Sequence, residues 1–341
     1  MRTIRYTRPG DPAVLELVDA PIPEPRDGEV RLRVMVSGVN PTDWKARSGQ
    51  YGGAPADATV PNHDGAGVVD KLGAGVDSLG VGDRVWVTLA GDGRPASGTA
   101  QEFTVVPAKR VFPLPASAGF DLGASTGIPA LTAHRALTVG EGGPTRLAPD
   151  ALADRTILVA GGAGAVGNAA IQLARWAGAE VIATVSQEAK ARLATAAGAH
   201  HVVNYRDPDA VEAIRGIAPD GVDLVVEVAA GANAELDLAV LRPGGTISIY
   251  ANDGGVPVDL DVWRNMGLNT RYQFVLLYTV GWDRISAGAT DINQAIADGA
   301  FRVGEEAGLP LHRYPLEETA AAHAAVESGA VGKVLITVAA S

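Results

Sequence analysis

The chain has 341 residues, of which 47% are hydrophobic and 20% carry a charge. That length favours two domains, and the composition is ordinary for a globular protein with a full core. The net charge of −11 argues against a nucleic-acid partner or an anionic membrane, because both require a positive surface. The chain has no cysteine, which excludes disulfides, thiolate metal sites and cysteine nucleophiles.

The first six residues, Met1–Tyr6, have no apolar run behind their charges and do not predict a signal peptide. No stretch of about 18 uninterrupted apolar residues predicts a membrane span. We therefore expect a cytoplasmic location and no membrane partner.

Residues 1–125 are expected to form a β domain. Short apolar segments alternate there with clusters of Gly, Pro and Asp, which is typical of compact, irregular β structure. The predicted strands include Val30–Val39, Gly65–Val69, Arg84–Leu89 and Glu102–Val106.

From about residue 150 to residue 280, strand-type runs alternate with helical segments. Strands are predicted at Thr156–Ala160, Glu180–Val185, His201–Asn204, Asp223–Val228 and Thr246–Tyr250. Helices are predicted near Ala165–Ala177 and Gln187–Ala197. This alternation predicts an α/β domain with a parallel, doubly wound sheet. A long surface loop, Thr138–Asp154, should lead into it.

The C-terminal segment Pro310–Ser341 has the pattern strand, helix, strand. We expect it to rejoin the first domain, because a C-terminal strand can complete a partly open β domain. The predicted domains are therefore 1–125 with 302–341, and 126–301.

A glycine-rich segment follows the first predicted strand of the second domain. Gly162, Gly164 and Gly167 match the pattern G-x-G-x-x-G between a strand and a helix. One glycine makes the tight turn, the next lets the backbone approach a pyrophosphate, and the third lets helix and strand pack closely. The pyrophosphate would lie on free N–H groups at the start of the helix. We predict cofactor contacts from Gly162, Ala163, Gly164, Ala165, Val166 and Gly167.

The end of the second strand of this domain decides between NAD and NADP. An NAD site usually has Asp or Glu there, which binds the ribose hydroxyls and repels a 2′-phosphate. This chain has Thr184-Val185-Ser186, without an acid, and Lys190 follows four residues later. Ser186 can donate to phosphate oxygens, and Lys190 brings a cation one helical turn on. Tyr205, just beyond the third strand, is a third candidate contact, and the sequence therefore predicts NADPH.

Further motifs are distributed along the whole chain. They are Gly38–Asp43, Gly49–Tyr51, Ala160–Gly167, Gly198-Ala199 with Asn204-Tyr205, and Glu327–Val334. With this set the chain resembles the medium-chain dehydrogenase/reductase superfamily, and in particular its zinc-free quinone oxidoreductase branch. The resemblance implies a GroES-like β domain, a Rossmann domain that binds the dinucleotide, and Lys333 as a further cofactor contact.

The stretch from His63 to Val76 is similar to the zinc signature of the alcohol dehydrogenases, with His63 at the position of a ligand histidine. However, Asn40 stands at the position of the first cysteine ligand, and the residues around Ile128 are apolar or small. A catalytic zinc needs about three protein ligands and an open position, whereas one His and at most Asp64 remain. We therefore predict no metal.

Without a metal, nothing obvious stabilises the alkoxide of a plain alcohol. Charge that develops on a quinone or an α,β-unsaturated carbonyl is delocalised, so hydride transfer to these acceptors needs mainly orientation. The resemblance implies that Asn40, Asp43, Tyr51 and Thr132 surround the nicotinamide end of a cleft between the domains. Asn40 or Tyr51 can donate a hydrogen bond to the substrate oxygen, with water as the final proton source.

The leading hypothesis is thus an NADPH-dependent reductase of a quinone. One alternative is an enone or enoyl reductase of secondary metabolism, which would share the cofactor and the fold. The other is an NADPH-binding protein without turnover.

An apolar, β-prone run, Arg271–Tyr278, comes late in the second domain, where the chain should reach a sheet edge. An exposed edge of this composition needs a cover or a partner. We predict a homodimer in which this strand pairs with its two-fold copy and buries Phe274, Val275 and Leu276, as the resemblance also implies. The alternative is that the strand is internal or is covered by a helix near Ile285–Ala300.

Overall fold

Contacts between backbone positions divide the chain into two units. The computed structural model describes residues 1–52 and 58–339. The first unit combines Met1–Ile128 with Pro310–Ser341, and the second is Pro129–Leu309. The domain boundaries predicted from the sequence, 125/126 and 301/302, lie three and eight residues before the boundaries of these two units. The last two residues of the predicted segment 302–341 lie outside the described residues.

The helices and strands follow one another in both units as short elements. The strands are β1 (Arg2–Arg5), β2 (Glu16–Asp19), β3 (Glu29–Val39), β4 (Asp64–Leu72), β5 (Arg84–Val87), β6 (Phe103–Pro107), β7 (Val111–Pro113), β8 (Thr156–Ala160), β9 (Glu180–Val185), β10 (His201–Asn204), β11 (Val222–Glu227), β12 (Leu241–Ile249), β13 (Arg271–Phe274), β14 (Leu311–Pro315) and β15 (Lys333–Thr337). The helices are α1 (Pro41–Ser48), α2 (Phe120–Leu137), α3 (Ala165–Trp176), α4 (Glu188–Ala196), α5 (Ala210–Ile217), α6 (Ala230–Val240), α7 (Val262–Leu268), α8 (Trp282–Ala297) and α9 (Thr319–Glu327).

The first unit is built around a mainly antiparallel sheet, and β3 is its longest strand. Val30, Leu32 and Val34 of β3 are buried, and they alternate with Arg31 and Arg33 as the two faces of a strand require. β3 pairs with β4, β6 and β15. The four strands predicted in this region are confirmed as β3 to β6, and the C-terminal strand β15 returns to this sheet as expected.

The second unit is a parallel sheet with the strand order β10-β9-β8-β11-β12-β13. The predicted doubly wound α/β sheet is therefore confirmed. The chain starts at β8, moves outward to β10 and then returns to β11, so the strand order reverses between β8 and β11. Ligands of such sheets bind at this reversal, outside the carboxyl ends of the strands.

The predicted loop Thr138–Asp154 contains no helix or strand, but it is not wholly at the surface. Leu147 and Leu152 are buried in the second unit. The Leu152 N–H donates to the carbonyl oxygen of Ala177 at 2.7 Å, which ties the loop to the end of α3. Within residues 1–52 and 58–339, none of the helices combines the length and the hydropathy that a membrane span requires.

The predicted strand Arg271–Tyr278 is shorter in the structure. β13 ends at Phe274 and lies at the edge of its sheet, next to β12. Phe274 and Leu276 are 68% and 57% exposed, whereas Val275 is 6% exposed. The prediction that Val275 awaits burial by a partner is therefore wrong, because its side chain is already buried within the protomer, just before the helical turn Leu277–Thr279.

Candidate functional site

The glycine-rich segment forms the turn between β8 and α3. Gly161 has a φ of +68°, a left-handed conformation that favours glycine. A Cβ on Gly162 would lie 2.9 Å from the Cβ of Ala183, and one on Gly167 would lie 2.4 Å from the carbonyl oxygen of Gly161. The tight turn is thus made by Gly161, one residue before the pattern begins, while Gly162 and Gly167 permit close packing.

Gly164 leaves open space at the start of α3. It precedes the helix as its N-cap and is exposed, and a Cβ there would make only an ordinary contact, 3.4 Å from the carbonyl oxygen of Gly161. Ala165 and Val166 form the first turn of the helix and are half-buried, whereas Ala163 is buried. Because the first amides of a helix have no acceptor within it, this turn can receive a pyrophosphate.

The three predicted phosphate contacts lie at the carboxyl ends of β9 and β10. Val185, which ends β9, pairs with Asn204, which ends β10, and the Tyr205 N–H donates to the Val185 oxygen at 3.0 Å. Ser186 follows Val185 directly, and Lys190 lies in the first turn of α4. The strand pairing therefore brings Ser186 and Tyr205 to one edge of the sheet, and Lys190 follows in the first turn of α4. We call these three residues the open edge.

Two charged residues beside the open edge were not considered in the sequence prediction. Glu188 begins α4, but its carboxylate is exposed and lies 3.5 Å from the Arg192 guanidinium. Arg206 follows Tyr205 and is also exposed. The signal that could have found Arg206 is its position directly after a predicted phosphate contact.

Two buried carboxyl groups lie next to each other, Glu227 at the end of β11 and Asp237 on α6. Glu227 and Asp237 are hydrogen-bonded to each other, and Asn233 donates to Glu227 at 3.0 Å. Burial raises the pKa of both groups, and the neighbouring Glu227 charge raises that of Asp237 further. The next residue, Val228, would lie 3.1 Å from a Cβ on Gly161. The sequence prediction missed this pair. Glu227 also accepts a hydrogen bond from the Ala229 N–H, which holds the residues after β11 beside the glycine turn.

In the first unit, Asn40, Asp64 and Lys333 form a buried chain of hydrogen bonds, which we call the closed cluster. The Lys333 ammonium donates to Asn40 Oδ1 at 2.6 Å, and Asn40 Nδ2 donates to Asp64 Oδ2 at 2.8 Å. Asp64 also accepts from the Ile128 N–H at 2.8 Å and from the Thr88 hydroxyl at 3.2 Å. All three members are at most 2% exposed.

Local features of the chain create the closed cluster. Asn40 precedes α1, and its backbone N–H donates to the Asp43 carboxylate at 2.7 Å, which forms a capping box. α2 has a kink at Gly127. A Cβ on Gly127 would lie 2.1 Å from Asp64 Oδ1, so only glycine lets the Asp64 carboxylate reach the helix.

The charges of this region depend on one another. Burial raises the pKa of Asp43 to about 7. The Asp64 charge also raises this pKa, whereas the hydrogen bond from the Asn40 N–H lowers it. Burial also raises the pKa of Asp64, opposed by the Lys333 charge and several hydrogen bonds. The pKa of Lys333 is lowered by burial, while both carboxylates act to raise it. A single ammonium thus balances two carboxyl groups that are removed from water.

The predicted substrate contacts lie in different environments. Asn40 and Asp43 are buried beside Lys333. Tyr51 is 64% exposed and does not belong to the closed cluster. Thr132 lies on α2 in the second unit and is 6% exposed.

The residues at the position of a dehydrogenase zinc site do not fit a metal. Burial and then the Arg110 charge lower the pKa of His63 to about 4, so the imidazole is neutral, and the nearby Arg110 guanidinium would repel a metal cation there. Both Asp64 oxygens already accept hydrogen bonds, and Asn40 Oδ1 accepts one from Lys333. In the part of the chain that the structure describes, no group of three or more His, Cys, Asp or Glu side chains could hold a metal ion.

Two family models match the chain. The alcohol dehydrogenase GroES-like domain matches residues 26–116, and the zinc-binding dehydrogenase model matches residues 165–290. The quinone oxidoreductase of Lama guanicoe is 32% identical to this chain, over 98% of this chain and 97% of its own length.

Solved structures of other proteins have the same fold as this chain over nearly its full length. The Escherichia coli quinone oxidoreductase complexed with NADPH has a TM-score of 0.82 at 26% identity, over 99% of this chain and 100% of that one. A structure described as an NAD-dependent alcohol dehydrogenase has a TM-score of 0.83 at 27% identity, with the same coverage. Likeness of fold alone therefore does not separate NAD from NADPH.

The two matched domains, with a glycine turn of the dinucleotide type, define an oxidoreductase of the medium-chain dehydrogenase/reductase class. The chain belongs to the quinone oxidoreductase branch of this superfamily. The resemblance inferred from the motifs is confirmed.

Proposed function

We propose that this chain transfers hydride from NADPH to a quinone. The observation that carries the proposal is the closed cluster. The Asp64 and Asn40 oxygens that a catalytic metal would need already accept hydrogen bonds there. Because these residues do not fit a metal, the acceptor itself must delocalise the developing charge, as a quinone does. The quinone oxidoreductase names of the relatives support the same acceptor.

The second unit supports NADPH as the reductant. When bound, NADPH supplies the hydride. The turn from Gly162 to Gly167 would hold the pyrophosphate through backbone amides, and Ser186, Lys190 and Tyr205 would hold the 2′-phosphate. This arrangement suits NADPH because Ser186 directly follows the strand β9, at the place where an NAD site usually has an acid.

In the first unit, Asn40 or Tyr51 donates a hydrogen bond to the quinone oxygen that becomes negative. The bond from Lys333 to Oδ1 fixes the orientation of the Asn40 amide. One Nδ2 hydrogen is donated to Asp64, and the second Nδ2 hydrogen is the one proposed for the quinone oxygen. Asp43 and Thr132 as substrate contacts, and Lys333 as a cofactor contact, stay predictions from the family resemblance. The hydride and one proton, taken from water, convert the quinone into the hydroquinone.

Two other functions are compatible with the same family. An enone or enoyl reductase would use the same cofactor and a different acceptor, and an NADPH-binding protein would show no turnover. The cytoplasmic location also stays a prediction from the sequence.

Steady-state oxidation of NADPH with a panel of quinones and enones tests the proposal. We expect turnover with quinones that exceeds turnover with enones. Faster reduction of enones would favour the alternative enzyme, and tight NADPH binding without oxidation by either panel would favour the non-catalytic protein.

We also propose that the chain forms a homodimer through the β13 edge. Phe274 and Leu276 are exposed apolar side chains beside the unpaired edge of the sheet, and a two-fold copy would cover both. Light scattering at micromolar concentration should give the mass of a dimer, and Phe274→Lys or Leu276→Lys should give that of a monomer. Val81→Lys, at a 67% exposed position in the first unit, is the matched control and should stay dimeric. A monomeric wild type would end this proposal, and a dimer that survives both changes would place the interface elsewhere.

A further inference from the structure

The second unit contains a cavity that shares no residue with the predicted cofactor contacts. Its volume is about 340 Å³, within the range of small-molecule sites. Residues of α2, α8 and the loop before β8 line it, and those that matter for its chemistry are Arg135, Thr138, Thr145, Arg146, Asp283 and Arg284.

One wall of this cavity is fixed by a buried carboxylate. Asp291, 5% exposed, accepts from Arg146 Nε at 2.9 and 3.0 Å and from His134 Nε2 at 2.8 Å. The Leu147 N–H donates to it at 2.8 Å. Burial alone would raise the pKa of Asp291, but these hydrogen bonds lower it to about 2. A charged Asp291 therefore holds the Arg146 guanidinium in place.

Two further cations line the cavity, Arg135 and Arg284. Arg135 is half-buried and Arg284 exposed, and within residues 1–52 and 58–339 neither forms an ion pair. The pKa of Arg135 is lowered by burial and then by the Arg284 charge, so the two guanidiniums repel each other. Three guanidiniums face two carboxylates here, Asp283 in the lining and Asp291 behind Arg146, which leaves one positive charge in excess.

We propose that this cavity binds an oxyanion, the phosphate or carboxylate group of a small organic molecule. Guanidinium groups bind both anions in paired, charge-assisted hydrogen bonds. An anion between Arg135 and Arg284 would remove their repulsion, and the hydroxyls of Thr138 and Thr145 line the same space. The inference concerns a second ligand and does not depend on the proposed quinone acceptor.

Calorimetric titration of the NADPH-saturated protein tests this inference, because bound NADPH fills the predicted cofactor-phosphate sites. Inorganic phosphate and succinate are the two probes, at constant ionic strength against chloride. We expect saturable binding of at least one. Phosphate alone would identify a phosphate ester as the ligand class, succinate alone a carboxylic acid, and both together a site for oxyanions in general.

The variants Arg284→Gln and Arg135→Gln should each weaken this binding tenfold or more. Arg284 is exposed, so its replacement should leave the fold and the NADPH affinity unchanged. The matched control is Arg33→Gln, which removes an exposed arginine of the first unit and should bind like the wild type. No saturable binding of either probe, or unchanged binding in both cavity variants, would overturn the inference. A wild type that fails to bind NADPH would contradict the proposed function instead, and the same titrations without NADPH would then decide.

Discussion

The closed cluster and the open edge each place one lysine among polar side chains, but they do so in opposite ways. Asn40, Asp64 and Lys333 are buried and bond to one another. Ser186 and Lys190 are only half-buried, so a ligand from solvent can reach both side chains. A closed cluster should therefore contribute to stability and geometry, whereas an open edge should contribute to the choice of ligand.

The largest effect that would test this contrast is the removal of the buried ammonium. Lys333→Met leaves Asp43 and Asp64 without a compensating charge, and breaking a buried pair in this way costs roughly 3–5 kcal/mol of unfolding free energy. The loss should be greater at pH 8 than at pH 5, because protonation of the carboxyl groups at low pH relieves the unpaired charge. Urea unfolding at both pH values measures it.

Lys71→Met is the control for this experiment. Lys71 is 51% exposed and pairs with the exposed Glu24, so its loss should cost less than about 1 kcal/mol. Equal losses for the two variants would mean that the closed cluster contributes no more than a surface ion pair.

The next effect concerns the open edge. Lys190→Ala should raise the KM for NADPH far more than the KM for NADH, since only NADPH has a 2′-phosphate. Loss of one partly exposed, charge-assisted contact costs on the order of 1.5–3 kcal/mol, or about ten- to 150-fold. Steady-state kinetics with both cofactors measure the ratio, with Lys71→Ala as a control that should match the wild type. A wild type that prefers NADH would show that this edge has been misinterpreted.

The open edge could be predicted from the sequence because its signals are local. The glycine spacing, the residue after β9 and the residue after β10 each lie within a few positions of a strand end. The closed cluster depends instead on contacts between distant residues: Lys333 and Asn40 are separated by 293 positions, and Ile128 and Asp64 by 64. Without the fold, Asp64 could only be considered as a remnant of a metal signature.

The prediction for the sheet edge failed for a related reason. Apart from Arg271 and Gln273, the run Arg271–Tyr278 is apolar or aromatic and β-prone, so its composition does not indicate where the strand ends. In the structure the Val275 N–H still donates to Ile249 at 2.8 Å, but a short helical turn, Leu277–Thr279, follows at once. Which side chain faces the core depends on that turn, and composition alone does not reveal it.

A smaller effect is expected from the buried carboxyl pair near the glycine turn. The folded-state pKa of Asp237 is raised, so the folded state holds a proton that the unfolded state releases above pH 4. The unfolding free energy of the wild type should therefore fall as the pH rises from about 4 through the folded pKa. Asp237→Asn keeps a donor towards Glu227 at every pH, so it should flatten this slope and stabilise the protein by about 1 kcal/mol at pH 8. Urea unfolding between pH 4 and pH 8 decides, and identical slopes would contradict a shared proton.

Treatment that removes metal ions is expected to have no effect on activity. If the closed cluster is complete as it stands, the purified protein should contain no stoichiometric zinc, and a chelator should leave the oxidation of NADPH by a quinone unchanged. The reason is chemical: Asp64 and Asn40 already bond to Ile128, Thr88 and Lys333, and a zinc ion would have to displace the Lys333 ammonium to reach them. Elemental analysis of the purified chain, together with activity before and after chelation, measures both parts. One zinc per chain, lost together with activity, would show that the cluster opens to admit a metal, and its contrast with the open edge would then disappear.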